Sequence, residues 1–75
     1  MPQMELSDGQ KVDASLITCV TLFLNPQPRL LVEMGDTAFM RVFGSGAEAD
    51  AERLDDVRDK HHLNYLVFGA MTIKP

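Results

Sequence analysis

The sequence predicts an α+β fold: a single four-stranded, mainly antiparallel sheet with one helix packed on one face, in the order β-β-β-α-β. Three observations predict it. Apolar and polar residues alternate through the first half of the chain, the period-two signature of strands. Turn-forming residues punctuate those runs at Asn25-Pro26-Gln27-Pro28, Gly35-Asp36 and Gly44. Beyond Gly44 the apolar spacing becomes helical, and beyond Asn64 it becomes strand-like again.

In order along the chain, Met1 to Leu6 reads as a loose arm, and residues 1–10 as a flexible lead-in to one domain spanning 1–75. Ser7-Asp8-Gly9-Gln10 is a turn, with Gly9 supplying a positive φ. Lys11 to Leu24 then alternates as one long strand. One face carries Val12, Ala14, Leu16, Thr18, Val20, Leu22 and Leu24; the other carries Lys11, Asp13, Ser15, Ile17, Cys19, Thr21 and Phe23. The second face turns apolar only in its later half, so the strand starts half-exposed and ends buried on both sides.

Pro26 and Pro28 break that strand, because each removes a ladder donor. Arg29 to Met34 is the second strand, and Gly35-Asp36 sits where a two-residue hairpin turn belongs. Thr37 to Phe43 is the third, with Ala38, Met40 and Val42 facing one way and Phe39, Arg41 and Phe43 the other. Ser45-Gly46-Ala47-Glu48 matches the S-x-x-E capping box, which predicts a helix from Gly46 to His61 or His62. The final strand spans Leu63 to Ile73, interrupted by Asn64 and by Gly69, a bulge signal. It joins either the first strand or the third.

The predicted helix offers the sheet a narrow stripe of Ala47, Ala51, Leu54 and Val57, ending at His61, with Arg58 beside it reaching outward along its stem. Such a stripe dries one face of a sheet whose strands are apolar on both. The second face therefore calls for a partner.

Length and composition point the same way. A 75-residue chain buries only about 60% of its unfolded surface, and such domains are usually supplemented by disulfides, a metal or a second subunit. Cys19 is the lone cysteine, which excludes an internal disulfide, and no residues stand at structural-zinc spacing. Oligomerisation remains. Met1 to Gln10 shows no basic segment followed by an apolar run, so no secretory signal is expected. No apolar stretch approaches the roughly 20 residues that span a bilayer. A single cysteine suits a reducing cytoplasm. The net charge of −4, from 11 acids and 7 bases, argues against direct binding to nucleic-acid phosphates or anionic membranes.

Two surfaces stand out as candidate sites. The first is the apolar sheet face with Ile17, Cys19, Phe23, Leu31, Phe39 and Phe43, a contact face of the kind that pairs with a second copy. Arg29 and Arg41 fall near it, placed to pair with Glu33 or Asp13 or to rim the contact. The second is an acidic helix ridge of Glu48, Glu52, Asp55, Asp56 and Asp59, within about a third of the helix circumference. It is either a solvated face or a docking ridge for a basic protein surface.

Candidates for chemistry are thin. His61 and His62 are adjacent and point apart, so they do not chelate one ion and read as helix-end residues favoured by the dipole. Cys19 lies in an apolar setting with no base near it in sequence. Gly44-Ser45-Gly46 lacks the lysine and spacing of a phosphate-binding loop. Tyr65 serves as a core ring or a contact residue. No catalytic residue, metal or cofactor is expected.

The function expected is that of a small non-catalytic protein–protein interaction module, regulator or inhibitor. It acts as a homodimer through the sheet face, with the acidic helix as a second contact surface. One alternative is a small-molecule-binding module, its pocket between sheet and helix or at a dimer seam lined by Phe23, Phe39 and Phe43. Another is an acidic inhibitor from a phage or mobile element that blocks a basic, nucleic-acid-binding surface. A third, an enzyme, would have to use His61, His62 or Cys19.

Overall fold

The structure, a computed structural model, describes residues 3–36 and 38–71. Its elements are β1 (Gln3–Glu5), β2 (Lys11–Asp13), a 3-10 turn (Ala14–Leu16), β3 (Cys19–Phe23), β4 (Arg29–Met34), β5 (Ala38–Phe43), α1 (Gly46–Lys60) and β6 (Leu66–Met71). The α+β class holds, with one helix and two sheets: a β1-β2 hairpin and a four-stranded sheet in the order β5-β4-β3-β6. Thr37, Thr72 and Ile73, which the sequence reading assigned to strands, lie outside the described residues.

The four-stranded sheet is mixed rather than mainly antiparallel. β3–β4 and β4–β5 pair antiparallel, and β3–β6 pairs parallel. The reason is the crossover. A 15-residue helix is about 22 Å long, roughly the length of a six-residue strand. It carries the chain back to the end of the sheet from which β5 set out. β6 must then run with β5, and therefore with β3. Gly69 is left without a partner between the pairs Thr21↔Phe68 and Leu22↔Ala70, the bulge expected there.

The long strand expected over residues 11–24 is broken. Asp13 caps the 3-10 turn, accepting hydrogen bonds from Ser15 N–H at 3.0 Å and Ser15 Oγ at 2.6 Å. An aspartate that bonds its neighbours' backbone competes with a sheet ladder, and here it wins. Those bonds, the side-chain one foremost, hold the Asp13 carboxyl below its ordinary pKa. The three-residue turn also inverts the alternation: Leu16, expected inside, is 61% exposed, and Ile17 is buried.

Residues 3–6 form no loose arm. β1 pairs antiparallel with β2 and buries Met4 and Leu6 in the same core cluster as Val12, Ala14 and Ile17. That cluster continues across the helix side of the sheet through Val20, Leu22, Leu30, Val32 and Val42, under Ala47, Ala51 and Leu54 of α1. Val57, the fourth stripe residue expected, is only partly buried, and Asp50 takes the fully buried place.

Asp50 ties the hairpin to the helix. Its Oδ2 accepts hydrogen bonds from Ser7 N–H at 2.9 Å and Ser7 Oγ at 2.8 Å. Arg53, one helical turn on, donates to Asp50 Oδ1 at 3.2 Å and to the Glu5 carbonyl at 2.8 Å. The approach is close enough that a Cβ on Gly46 would collide with the Ser7 side chain. This clamp replaces the expected capping box. Ser45 has helical dihedrals (φ −64°, ψ −24°) and its side chain caps nothing. The first turn is closed instead by Ala47 N–H bonding the carbonyl of Gly44, which sits at φ +91°.

The helix ends in a Schellman motif. Leu63 N–H reaches the Arg58 carbonyl at 2.9 Å and His62 N–H reaches that of Asp59 at 3.4 Å, with His62 at φ +54°. Tyr65 then turns inward, and its buried hydroxyl donates to the Leu54 carbonyl.

Two outcomes are expected. Asp50→Ala strands both Ser7 donors and lowers unfolding free energy by about 3 kcal/mol, the scale of two charge-assisted hydrogen bonds; a loss under ~1 kcal/mol in urea unfolding would sink the clamp. Burial, foremost, pushes the Tyr65 phenol above its ordinary value of 10.0. The folded state thus favours the neutral phenol. Its contribution is whole below the unfolded phenol's pKa and is lost as pH rises through the folded one. Tyr65→Phe should cost about 1 kcal/mol at neutral pH and flatten the decline in stability above about pH 10, read from urea titrations between neutral and alkaline buffer.

Candidate functional site

Alternation gives each strand two faces, and the helix covers only one. The strand registers arrange the other face in rows across the sheet. One row is Leu66, Cys19, Glu33 and Phe39; the next is Phe68, Thr21, Leu31 and Arg41; the third holds Phe23, Arg29 and Phe43. On this open face Phe39 is 56% exposed, Phe43 67%, Leu66 60% and Phe68 47%. The flanks are thus apolar and bare, while Phe23 and Leu31 are half-buried between their neighbours and Thr21 is buried at the centre.

Three charged residues are set into this surface. The Arg29 guanidinium lies over the Phe23 ring at 4.6 Å, and that of Arg41 over the Phe39 ring at 4.8 Å. Cation–π contact gives each arginine a favourable seat on an otherwise apolar face. Neither arginine, nor Glu33, enters an ion pair among the described residues, so the expected pairing with Glu33 or Asp13 is not made. Arg29 Nε is buried with no hydrogen-bond partner among the described residues. A hollow of about 310 Å³ opens beside it, walled by Phe23, Phe43 and Arg41 and floored by Leu30 and Leu31. A second hollow, of about 210 Å³, lies between Glu33, Phe39, Arg41 and the Gly35-Asp36 turn.

Of the residues assigned to this face from sequence, Phe23, Leu31, Phe39 and Phe43 are brought together on it, with Cys19 at its margin. Ile17 is not: it is 5% exposed, within the core cluster. The 3-10 turn shifted its parity, and the one sequence signal for that turn was the Asp13-x-Ser15 pair. Sequence reasoning missed Leu66 and Phe68, which share the face because β6 pairs with β3. Period two was readable in Leu66 and Phe68, but the strand's neighbour was not.

The acidic ridge is on α1, across the sheet from the open face. Glu48, Glu52, Asp56 and Asp59 are exposed and Asp55 is half-buried. Arg58 bonds Asp55 at 2.5 Å and Asp59 at 3.4 Å, with its side chain 27% exposed, so it emerges to the ridge as expected of a long stem. Glu48, Glu52 and Asp56 make no ion pair among the described residues.

His62 lines a hollow of about 370 Å³ with Ala14, Ile17 and Thr18, away from the open face. Cys19 Sγ lies 3.7 Å from Thr21 Oγ1 and no base is placed beside it among the described bonds. Among the described residues no three His, Cys, Asp or Glu side chains are gathered to hold a metal ion, and no helix is long and apolar enough to cross a membrane. The chain matches no protein-family model, no curated protein and no solved structure.

Burial separates the two faces energetically. Leu30→Ala, in the core, should lower stability by about 2–5 kcal/mol. Phe43→Ala, on the open face, should shift it by under about 1 kcal/mol when unfolding is followed at the lowest workable concentration. Equal costs would mean that the open face is covered from within the chain.

Proposed function

We propose that this protein is a small, non-catalytic protein–protein interaction module that acts as a homodimer through the open face of its sheet. The observation that carries the reading is the exposure of Phe39 and Phe43 on one edge strand and Leu66 and Phe68 on the other, flanking Phe23, Leu31 and Thr21 on the same uncovered face. Exposed apolar patches of this kind mark contact faces, and a two-fold pairing of like with like is the commonest way to close one. Two such sheets stack about 10 Å apart.

The second contact surface is the acidic helix ridge, which stays outermost when the sheet faces meet. Its carboxylates on Glu48, Glu52 and Asp56, outside any ion pair among the described residues, suit a basic protein surface. A regulator or inhibitor that occupies a partner's basic site by charge is the role this supports. A reducing cytoplasm suits the free, half-buried thiol of Cys19. A second reading, a small-molecule-binding module, draws on the hollow beside Arg29.

The test is solution mass by light scattering across a dilution series. The wild-type protein should run as a dimer that dissociates on dilution. Phe39→Asp should run as a folded monomer, because Phe39 lies on the edge strand β5 and its loss leaves the core untouched. Glu52→Lys should leave the mass unchanged. A wild-type monomer at every concentration would refute self-association.

A further inference from the structure

The charges set into the open face select one orientation for the second copy. On β4 that face presents Arg29, Leu31 and Glu33 in succession: positive, apolar, negative. A two-fold axis lying between the stacked sheets can run along the strands or across them. Along the strands over β4, Arg29 would face a second Arg29 and Glu33 a second Glu33; between β4 and either neighbour, Arg29 would face Phe23 or Phe43 and Glu33 would face Cys19 or Phe39, with neither charge paired. Across the strands at the level of Leu31, the outer rows exchange. Arg29 then faces Glu33 of the second copy, Phe43 faces its Phe39 and Phe23 faces its Cys19.

We propose that the homodimer, on the reading given above, forms about this second axis, with Arg29 of each copy paired to Glu33 of the other. Four separate features of the face meet in this arrangement. The Arg29 guanidinium, in no ion pair among the described residues, gains a carboxylate. Glu33, unpaired among the described residues, gains a guanidinium. The bare rings of Phe39 and Phe43 cover each other. The hollow beside Arg29 receives the Glu33 carboxylate, and the hollow beside Glu33 receives the Arg29 side of the second copy.

Arg41 falls on the axis row and meets its own copy. It is on the edge strand and exposed, with its guanidinium drawn onto Phe39, so the two Arg41 charges stand at the rim in screening solvent. Thr21 and Leu31 also lie on the axis row, and an uncharged centre of this kind is what two identical surfaces need where they meet.

Charge reversal tests the pairing. Arg29→Glu alone sets a new carboxylate against Glu33 of the second copy, and Glu33→Arg alone sets a new guanidinium against its Arg29. Each should raise the dimer dissociation constant at least about a hundredfold, since like charges opposed at an interface cost several kcal/mol. Mixed in equal amounts, the two variants are complementary at both positions and should form a heterodimer of near wild-type affinity. The double swap R29E/E33R should dimerise alone. All masses are read by light scattering, with circular dichroism to confirm folding. If Arg29→Glu does not fold, Glu33→Gln decides: it should weaken the dimer and remove most of the salt dependence of wild-type dissociation. Single variants that dimerise as well as wild type, or a Glu33→Gln dimer of unchanged affinity and salt response, overturn the pairing while self-contact stands. A mixture that stays monomeric beside a dimeric wild type does the same. A wild-type protein that is monomeric throughout overturns both.

Discussion

Asp50 is fully buried in the helix, and the donors on Ser7 that satisfy it come from 43 residues earlier in the chain. A carboxylate cannot be taken out of water without such partners. The helix therefore reaches its final packing only when the hairpin arrives, and the hairpin is tied in turn to the helix through Ser7 and Glu5 and to β5 through Gln10 and the Arg41 carbonyl. Met4 and Leu6 depend on this, because the short β1-β2 ladder has little of its own to hold it. Arg53 reinforces the junction by bridging Asp50 and the Glu5 carbonyl. A small core is made larger by one polar clamp at its margin.

The parts legible in the sequence were those written in local chemistry. The proline and glycine breaks located β4 and β5, the helical spacing located α1, and Gly69 announced its bulge. The parts that were not legible depended on remote partners. Ser7 and Asp50 carry no mutual signal in sequence, so a tethered hairpin read as an arm. The Asp13–Ser15 turn was hidden by an alternation that continued in letters after it had ceased in geometry, and this sent Ile17 to the wrong face. The capping box at Ser45 and Glu48 was a true pattern overridden by tertiary context, because the clamp sets the entry of the chain into the helix. The open face was more legible than the topology: Phe23, Leu31, Phe39 and Phe43 share it by strand parity alone, whichever strand lies beside which.

The two sides of the molecule have opposite characters. The helix side shows water a row of carboxylates, partly neutralised by Arg58. The sheet side shows rings and aliphatic groups with two arginines and one glutamate set among them. Net charge is therefore a poor guide to what either side meets. Residues 47–60 carry a net −3, with 6 acids and 3 bases, while the open face carries Arg29 and Arg41 against Glu33. The helix and sheet separate these two characters by the thickness of the domain.

The crossover has a consequence for the order in which the sheet can close. β3 is central in the finished sheet, yet its neighbour on one side, β6, comes last among the described elements. As the chain folds, β3, β4 and β5 can pair through local connections while one flank of β3 still has open backbone groups beside apolar side chains. Such a flank is open to the wrong strand from another chain. That flank closes only when residues 66–71 dock. The docking of β6 is thus the step that closes the last open flank of the sheet's central strand.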